Sequence, residues 1–583
     1  MSNFRYQTDV LIVGSGPAGS TTSALLSSYG VKNMVITKYG WLANSPRAHI
    51  TNQRAMEIFR DLGIENEIIE KAVPQELMGN NVFCTSLAGE ELGRLYSWGN
   101  QPNRMADYTL ASPTKICDIP QNLVEPIIVG AGARKGSKYK FDTEYLRHEQ
   151  DDSGVTVWCK DRLSADEFLI RAKYLVGADG GNSKVAENLQ LPFEGEMGVG
   201  GSMNIVFKMD LTQYVAHRPS ALYWVMQPGS NVGGIGMGLV RMVRPWNEWL
   251  IVWGYDINDG PPEVNDELAK DIAFKLVGDN SIPIEILQTS TWTVNHSYAT
   301  KIADDKVFCI GDAIHRHPPS NGLGSNTSIQ DAFNLSWKLA KVVKGEANES
   351  LLDSYQEERG PIAKQIVDRA NKSIIEFGPI FQSLGLGDNI EPEQMKANMA
   401  KLKDNNTTAE QQREDLRKAI ALKSYEFNCH GVELNQRYQS AAIVKDGKPA
   451  EAFKRDQELY YQASTQPGAH LPHVWLGDDG HRISTLDLAG KGEFTLFTGI
   501  GGEAWIAASE ALSNSLNLSI KVVQIGPGRD YTDLYGEWAE VRDIKDSGCL
   551  LIRPDFHIAF RAQEANDTAK EVLEIALKTV LGR

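Results

Sequence analysis

Gly14-Ser-Gly16-Pro-Ala-Gly19 follows the apolar run Val10-Leu-Ile-Val13 and opens a helical pattern, the context in which G-x-G-x-x-G cradles a dinucleotide. Gly14 permits the tight turn, Gly16 lets a pyrophosphate approach the backbone, and Gly19 lets the helix pack closely on the strand. The helix N-terminus then offers N–H groups and partial positive charge to the anion. The motif serves NAD and FAD alike. An acidic residue about 20 positions on commonly holds the ribose hydroxyls. Here the second strand, Met34-Val-Ile-Thr37, ends in Lys38, so the ribose contact at that position must be made differently.

Two further Gly-rich stretches carry carboxylates: Gly177-Ala-Asp179-Gly180-Gly-Asn-Ser183, and Gly311-Asp312-Ala-Ile-His315-Arg-His317-Pro318-Pro319 followed by Gly322-Leu-Gly324-Ser-Asn326. Taken singly, Asp179 and Asp312 read equally well as turn carboxylates that cap a helix. All three stretches share one grammar, a short apolar strand running into Gly-rich punctuation. One discontinuous domain, residues 1–200 with 300–385, is expected to be assembled from them. Between, residues 201–299 alternate apolar and polar positions as antiparallel strands do. Residues 386–444 read as an exposed helical linker region. From 445 to 583 strands and helices alternate again, as in a small α/β domain.

The order and spacing of the motifs resemble the single-component flavoprotein aromatic hydroxylases. Pro46-Arg47-Ala48-His49-Ile50-Thr51-Asn52-Gln53-Arg54, Met242-Val-Arg-Pro-Trp-Asn247 and Pro467-Gly-Ala-His-Leu-Pro-His473 are similar to the phenol-hydroxylase branch, so the likeness covers essentially the whole chain. It implies an α/β fold: a Rossmann-type FAD-binding domain, an inserted mostly antiparallel sheet domain for substrate, and a C-terminal thioredoxin-like domain that here lacks C-x-x-C. It implies non-covalent FAD, NADH or NADPH as co-substrate, and O2 activated as a flavin C4a-hydroperoxide. By position, Asp179 belongs to the FAD site, Asp312 to the ribityl chain, and Pro319, Gly322, Gly324 and Asn326 to the surroundings of the flavin ring. Arg47 and Gln121 are placed against FAD, and His49 beside the substrate hydroxyl. The chain departs from the family pattern at Ala186, where Arg is frequent, and at Asn321, where Gly is.

An electrophilic oxygen demands an electron-rich ring, and a phenol with a pKa near ~10 needs a base to become phenolate. His titrates where that task requires it. His49 is the candidate base and Asp118 its candidate orienting partner. Large adaptable side chains recur through the sheet segment; Trp224 and Trp292 match pocket tryptophans of the family, Met226 lies between them in sequence, and Arg241 resembles an arginine near the flavin. No clamp for a substrate carboxylate stands out, which favours a neutral, apolar phenol.

A net charge of −16 and the lack of a basic stripe argue against a nucleic-acid partner. No apolar run approaches the ~18 residues of a membrane span, and the first residues run directly into the first strand, so a soluble cytoplasmic protein is expected. Six scattered cysteines without C-x-x-C or ligand spacing read as reduced buried thiols, and no metal site is expected. A homodimer or homotetramer fits the family. A flavin-dependent halogenase would need a W-x-W-x-I-P signature that is absent. A flavin oxidase or reductase, or a non-catalytic flavin-binding scaffold, stays open on sequence alone.

Overall fold

A computed structural model describes residues 4–228, 237–387 and 390–583. Its first sheet is built on the strand Tyr6–Val13, flanked in parallel by Glu167–Gly177 on one side and Asn33–Ile36 on the other. Val307–Cys309 then pairs in parallel with the last residues of Glu167–Gly177. Helix Pro17–Ser28 packs against this sheet's neighbours Gln121–Arg134 and Leu323–Val343. Covered strands of a parallel sheet must be apolar along their length rather than alternating, and Val10 to Val13 are all buried. Because the three parallel strands run the same way, the Gly-rich stretches that follow them emerge together at the carboxyl edge, where open α/β sheets bind ligands.

The second sheet has eight strands in the order His315–Arg316, Glu285–Ala299, Phe193–Lys208, Glu248–Tyr255, Gly238–Arg244, Ser220–Val225, Asn80–Cys84 and Glu91–Tyr96. It is wider than the 201–299 insertion, because two strands from the N-terminal region extend it beyond Ser220–Val225. Asn80–Cys84 joins in parallel, which no hairpin signal in the sequence announces. One face buries Met203, Ile205, Phe207, Tyr223, Val225, Val240 and Ile251 against helix Asp266–Val277. The other face carries Arg241, whose guanidinium reaches Asp118.

Residues 390–422 depart from the reading as an exposed linker. Helices Pro392–Ala400 and Thr407–Leu422 bury Met395, Leu416, Ala419 and Ile420 in a cluster with Phe83, Trp224 and Met226 of the second sheet. Their polar residues had concealed a narrow apolar stripe. The C-terminal region holds a four-stranded sheet ordered Ile520–Gln524, Phe494–Thr498, Cys549–Ile552, Ile558–Ala562, with helices Glu503–Leu516 and Ala569–Val580 packed on one another. Among the described residues, no helix is long and apolar enough to cross a membrane, and no cluster of His, Cys, Asp and Glu could hold a metal ion.

Candidate active site

The first turn shows why its glycines are glycines. Gly14 has φ +105°, and a Cβ there would lie 2.2 Å from the Ala178 carbonyl oxygen; at Gly19 a Cβ would lie 2.0 Å from the Gly14 oxygen. At Gly16 a Cβ would meet nothing nearer than a Glu125 oxygen at 4.0 Å. Packing therefore explains Gly14 and Gly19, while the space at Gly16 fits the close approach of a pyrophosphate. Gly16 is also the N-cap of helix Pro17–Ser28 and provides no side-chain cap, leaving the helix N–H groups to an anion. Gln121 donates to Glu125 at 2.5 Å, and Glu125 accepts the Ala43 N–H at 2.7 Å. Arg47 is exposed, with Ser45 its side-chain partner at 3.1 Å among the described residues. Lys38 is exposed just beyond the strand Asn33–Ile36, its carbonyl accepting from Arg162 at 2.6 Å.

The two motif carboxylates, alike in sequence, differ in what surrounds them. Asp179 accepts from Ser183 Oγ at 2.5 Å and from the Lys184 and Val185 N–H groups at 2.8 and 3.3 Å. It thus buttresses Ser183, the N-cap of helix Lys184–Asn188, and satisfies two N–H groups of that helix's first turn. The Asp312 side chain is exposed, and among the described residues no hydrogen-bond donor reaches its carboxylate. Protein nevertheless surrounds it, and that desolvation raises its carboxyl above the usual range. An accessible carboxylate deep in the fold is the signature of a cleft, and it fits the hydroxyls of a ribityl chain.

The loop after Asp312 is tied to the strand that carries His49. Pro319 is exposed, and Gly324 would place a Cβ 3.5 Å from His317. Gly322 has φ +65° and touches Ile50, and Asn321 is also left-handed at φ +64°. Asn326 is buried and its amide is fully engaged: Oδ1 accepts the Asn52 N–H at 3.0 Å, and Nδ2 donates to the Ile50 and Gly322 carbonyls at 2.8 and 2.6 Å. Its side chain therefore ties the loop to residues 50–52.

Ile50–Thr51 pairs antiparallel with Cys117–Asp118, and the Ile119 N–H donates to the His49 carbonyl at 2.8 Å. This register sets His49 beside Asp118, with Nδ1 3.2 Å from Oδ1; the residues are 4 % and 0 % exposed. Arg241, from the second sheet, donates to the other Asp118 oxygen at 3.0 Å. His49 Nε2 faces the Pro46 carbonyl at 2.9 Å. Burial first, then the Arg241 cation, depress the His49 pKa against the opposing pull of Asp118. Burial would raise Asp118, but Arg241 and His49 outweigh it and hold the carboxyl low. A neutral His49 that donates from Nδ1 to this carboxylate carries its lone pair on Nε2, the form a base requires. Both ring nitrogens face acceptors, so with the single proton on Nδ1 the Nε2 lone pair opposes the Pro46 carbonyl, an unfavourable contact that an incoming hydroxyl donor would relieve.

Register places Trp224, Arg241 and Trp292 on one face of the second sheet. Trp224 is opposite Leu239, Leu222 opposite Arg241, and Trp292 opposite Ser202, two residues from Asn204. The Trp224 indole donates to Asn81 at 3.1 Å and that of Trp292 to Asn204 at 3.0 Å. Trp224 also packs on Phe377 with ring centroids 4.6 Å apart. Met226 is buried in the same cluster as Trp224, Met237, Phe377 and Ile50. Sequence reading missed Asn81, Asn204 and Phe377. Only the alternation around Asn204 carried any signal for them.

With this geometry in view, comparison with known proteins is direct. Residues 7–370 match the FAD binding domain family, and residues 464–583 match the aromatic-ring hydroxylase C-terminal family. The chain is 57% identical over 579 residues to 2,4-dichlorophenol 6-monooxygenase of Cupriavidus pinatubonensis (strain JMP 134 / LMG 1197), covering 99% of this chain and 97% of that one. It is 50% identical to phenol 2-monooxygenase of Pseudomonas sp. (strain EST1001), covering 96% and 90%. A crystal structure of the flavin-dependent monooxygenase PieE in complex with FAD and substrate superposes with a TM-score of 0.95 at 40% identity, over 99% of both chains. Aklavinone-11 hydroxylase with FAD and aklavinone aligns at 0.81 and 27% identity over both full chains. Gly-rich turns, cleft carboxylate and whole-length likeness agree: the chain belongs to the FAD-binding aromatic-ring hydroxylases.

Proposed function

We propose that this protein is an FAD-dependent monooxygenase that hydroxylates a neutral phenol ortho to its hydroxyl, using NADH or NADPH and O2. The observation that carries the reading is the Arg241–Asp118–His49 chain, buried beside a mostly apolar sheet face that adjoins the flavin loop. The names 2,4-dichlorophenol 6-monooxygenase and phenol 2-monooxygenase support both the substrate class and the ortho position.

FAD, once bound and reduced by the nicotinamide, would activate O2 as the electrophile, one oxygen atom entering the ring and the other leaving as water. Arg241 keeps Asp118 ionised and oriented; Asp118 fixes the His49 tautomer; His49 Nε2 accepts the phenol proton. The resulting imidazolium is stabilised by the Asp118 carboxylate, so negative charge on the phenol oxygen flows into the ring at its ortho carbon. Trp224, Met226 and Trp292 wall the ring and exclude water, which limits loss of activated oxygen as peroxide. Gly16, in the turn that Gly14 and Gly19 shape, would hold the pyrophosphate, Asp312 the ribityl chain, Gly322 and Gly324 the ring, with Lys38, Arg47 and Gln121 around the remainder.

The four-stranded sheet with its helices supports reading 445–583 as thioredoxin-like, with Cys549 buried in a strand rather than placed for redox work. Domains at 1–200 with 300–385, 201–299, 386–444 and 445–583, a cytoplasmic location and a homodimeric or homotetrameric state complete the proposal. The decisive experiment is turnover of a phenol panel under labelled O2. Label in the product hydroxyl supports the monooxygenase, label only in peroxide makes the protein an oxidase, and no phenol-dependent nicotinamide oxidation leaves a flavin-binding scaffold.

A further inference from the structure

Asp312 faces the cleft, but the turn that presents it is anchored from behind. Asp331, buried on helix Leu323–Val343, accepts the Gly311 N–H at 3.0 Å and faces His315 Nε2 at 2.9 Å with the same oxygen. Its other oxygen accepts from Arg359 Nε at 2.7 Å. Arg359, fully buried on helix Asp353–Ile375, donates in turn to Gln436 at 2.8 Å and to the Tyr438 hydroxyl at 2.9 Å.

Tyr438 connects this cluster to the C-terminal region. Its ring stacks on His557 with centroids 4.1 Å apart, and its N–H donates to the Gly468 carbonyl at 2.8 Å. A Cβ at Gly468 would lie 2.1 Å from the Tyr438 oxygen, so only glycine admits this approach. The segment Pro467–His473, which hydroxylation chemistry does not use, thereby gains a task. It pairs with residues 556–558 and locks Tyr438 under Arg359.

We propose that Asp331 is a positioning residue for flavin binding, and that the C-terminal region braces it through Tyr438 and Arg359. The Gly311 N–H is a buried donor held inward by Asp331, which aims the next residue, Asp312, outward. Without the Asp331 acceptor that donor is orphaned and the turn must rearrange to satisfy it. This is a task for the C-terminal region that requires no redox cysteine.

The test measures FAD affinity of the apoprotein by flavin fluorescence alongside its melting temperature without flavin. Asp331→Asn weakens one acceptor, and the charge-neutral pair Asp331→Leu with Arg359→Met removes it without stranding a buried cation. Each should bind FAD about 10–100-fold more weakly, by analogy with loss of the outer partner of a metal-ligating side chain. Tyr438→Phe keeps every charge and removes one charge-assisted hydrogen bond from Arg359, felt at the flavin only through Asp331, and should weaken binding by roughly 2–10-fold. A folded Asp331 variant with wild-type affinity overturns the proposal, as does a lower melting temperature with unchanged affinity of the folded fraction. Should neither Asp331 variant fold, Tyr438→Phe decides alone: weaker binding supports the brace, and wild-type affinity overturns it. The inference rests on Asp312 as a flavin partner, and Asp312→Ala separates the two. Unchanged affinity there refutes that assignment, whereas loss there with retention in the Asp331 variants refutes only the brace.

Discussion

Arg241 donates to Asp118 at 3.0 Å across the boundary between the second sheet and the strand pair that holds His49. The proposed base is therefore assembled from two parts of the fold, and the sheet proposed to wall the substrate also sets its electrostatics. Arg241 acts in two directions, holding Asp118 ionised while repelling a proton from His49.

That dual action gives a pH signature. The His49 pKa lies below its ordinary value of about 6.5, so the base form persists below that pH and kcat/KM should fall only on further acidification. Arg241→Gln removes the repelling cation and leaves Asp118, so the acid limb should move to higher pH. A limb that stays in place in the variant would separate Arg241 from the base.

His49→Ala should retain FAD, still be reduced by nicotinamide, and then release mostly H2O2, with hydroxylation slowed by roughly 10²–10⁴. Raising the pH should recover part of the rate, because solvent then supplies phenolate. Stopped-flow absorbance with product analysis distinguishes these steps. Wild-type coupling and an unaltered pH profile would make His49 structural.

The two motif carboxylates should respond differently to alanine. Asp312→Ala removes an accessible acceptor from the cleft and should yield protein that purifies largely without flavin at near-normal stability. Asp179→Ala removes the acceptor that serves Ser183, the cap of a short helix, and two N–H groups of its first turn, and should lower stability by about 1–3 kcal/mol, with a smaller effect on FAD affinity. Equal loss of flavin in both would assign Asp179 a direct contact.

Glu358 is fully buried between Arg553, at 2.5 Å, and Lys338, at 2.8 Å. Burial opposes its ionisation, but Arg553 and Lys338 outweigh this and hold the carboxyl low. Glu358→Gln breaks a buried pair and should cost about 3–5 kcal/mol. Because the folded pKa is depressed, this contribution is complete above the unfolded value of about 4.3 and is lost as pH falls through the folded one. The melting gap between wild type and variant should therefore narrow in acid only. Removing the exposed Glu414–Arg417 pair should leave the melting temperature unchanged.

All six cysteines are buried, and desolvation raises every thiol, Cys84 and Cys159 to about 12. A thiol reagent should label the native protein negligibly and the unfolded protein six-fold. Cys549→Ser should turn over normally once loaded with FAD, and abolition of turnover would restore a redox role to the C-terminal region.

The sequence by itself determined the dinucleotide turn, the FAD-binding family and the candidate base. A left-handed turn at Gly14 and the backbone contacts of Gly14 and Gly19 admit only glycine, so a few neighbouring residues record them. The apolar residues of 204–209 and 249–253 likewise recorded strands, which the fold buries on both faces at Ile205 to Phe207 and at Trp249 to Val252.

Tertiary structure decided what local patterns leave open. Asp179 and Asp312 follow similar strand–glycine grammar, and only the neighbours that fold against each carboxylate give one three donors and leave the other free. Arg241 and Asp118 are 123 residues apart, and Trp224 and Asn81 are 143 apart, so sequence spacing cannot report either pair. The same holds for the parallel joining of Asn80–Cys84 to Ser220–Val225 and for the helices of 390–422. Their apolar stripe acquires meaning only when the sheet face it covers exists. Hydrogen bonds and burial depend on the three-dimensional partner, and long-range partners are specified by the packing of the whole chain.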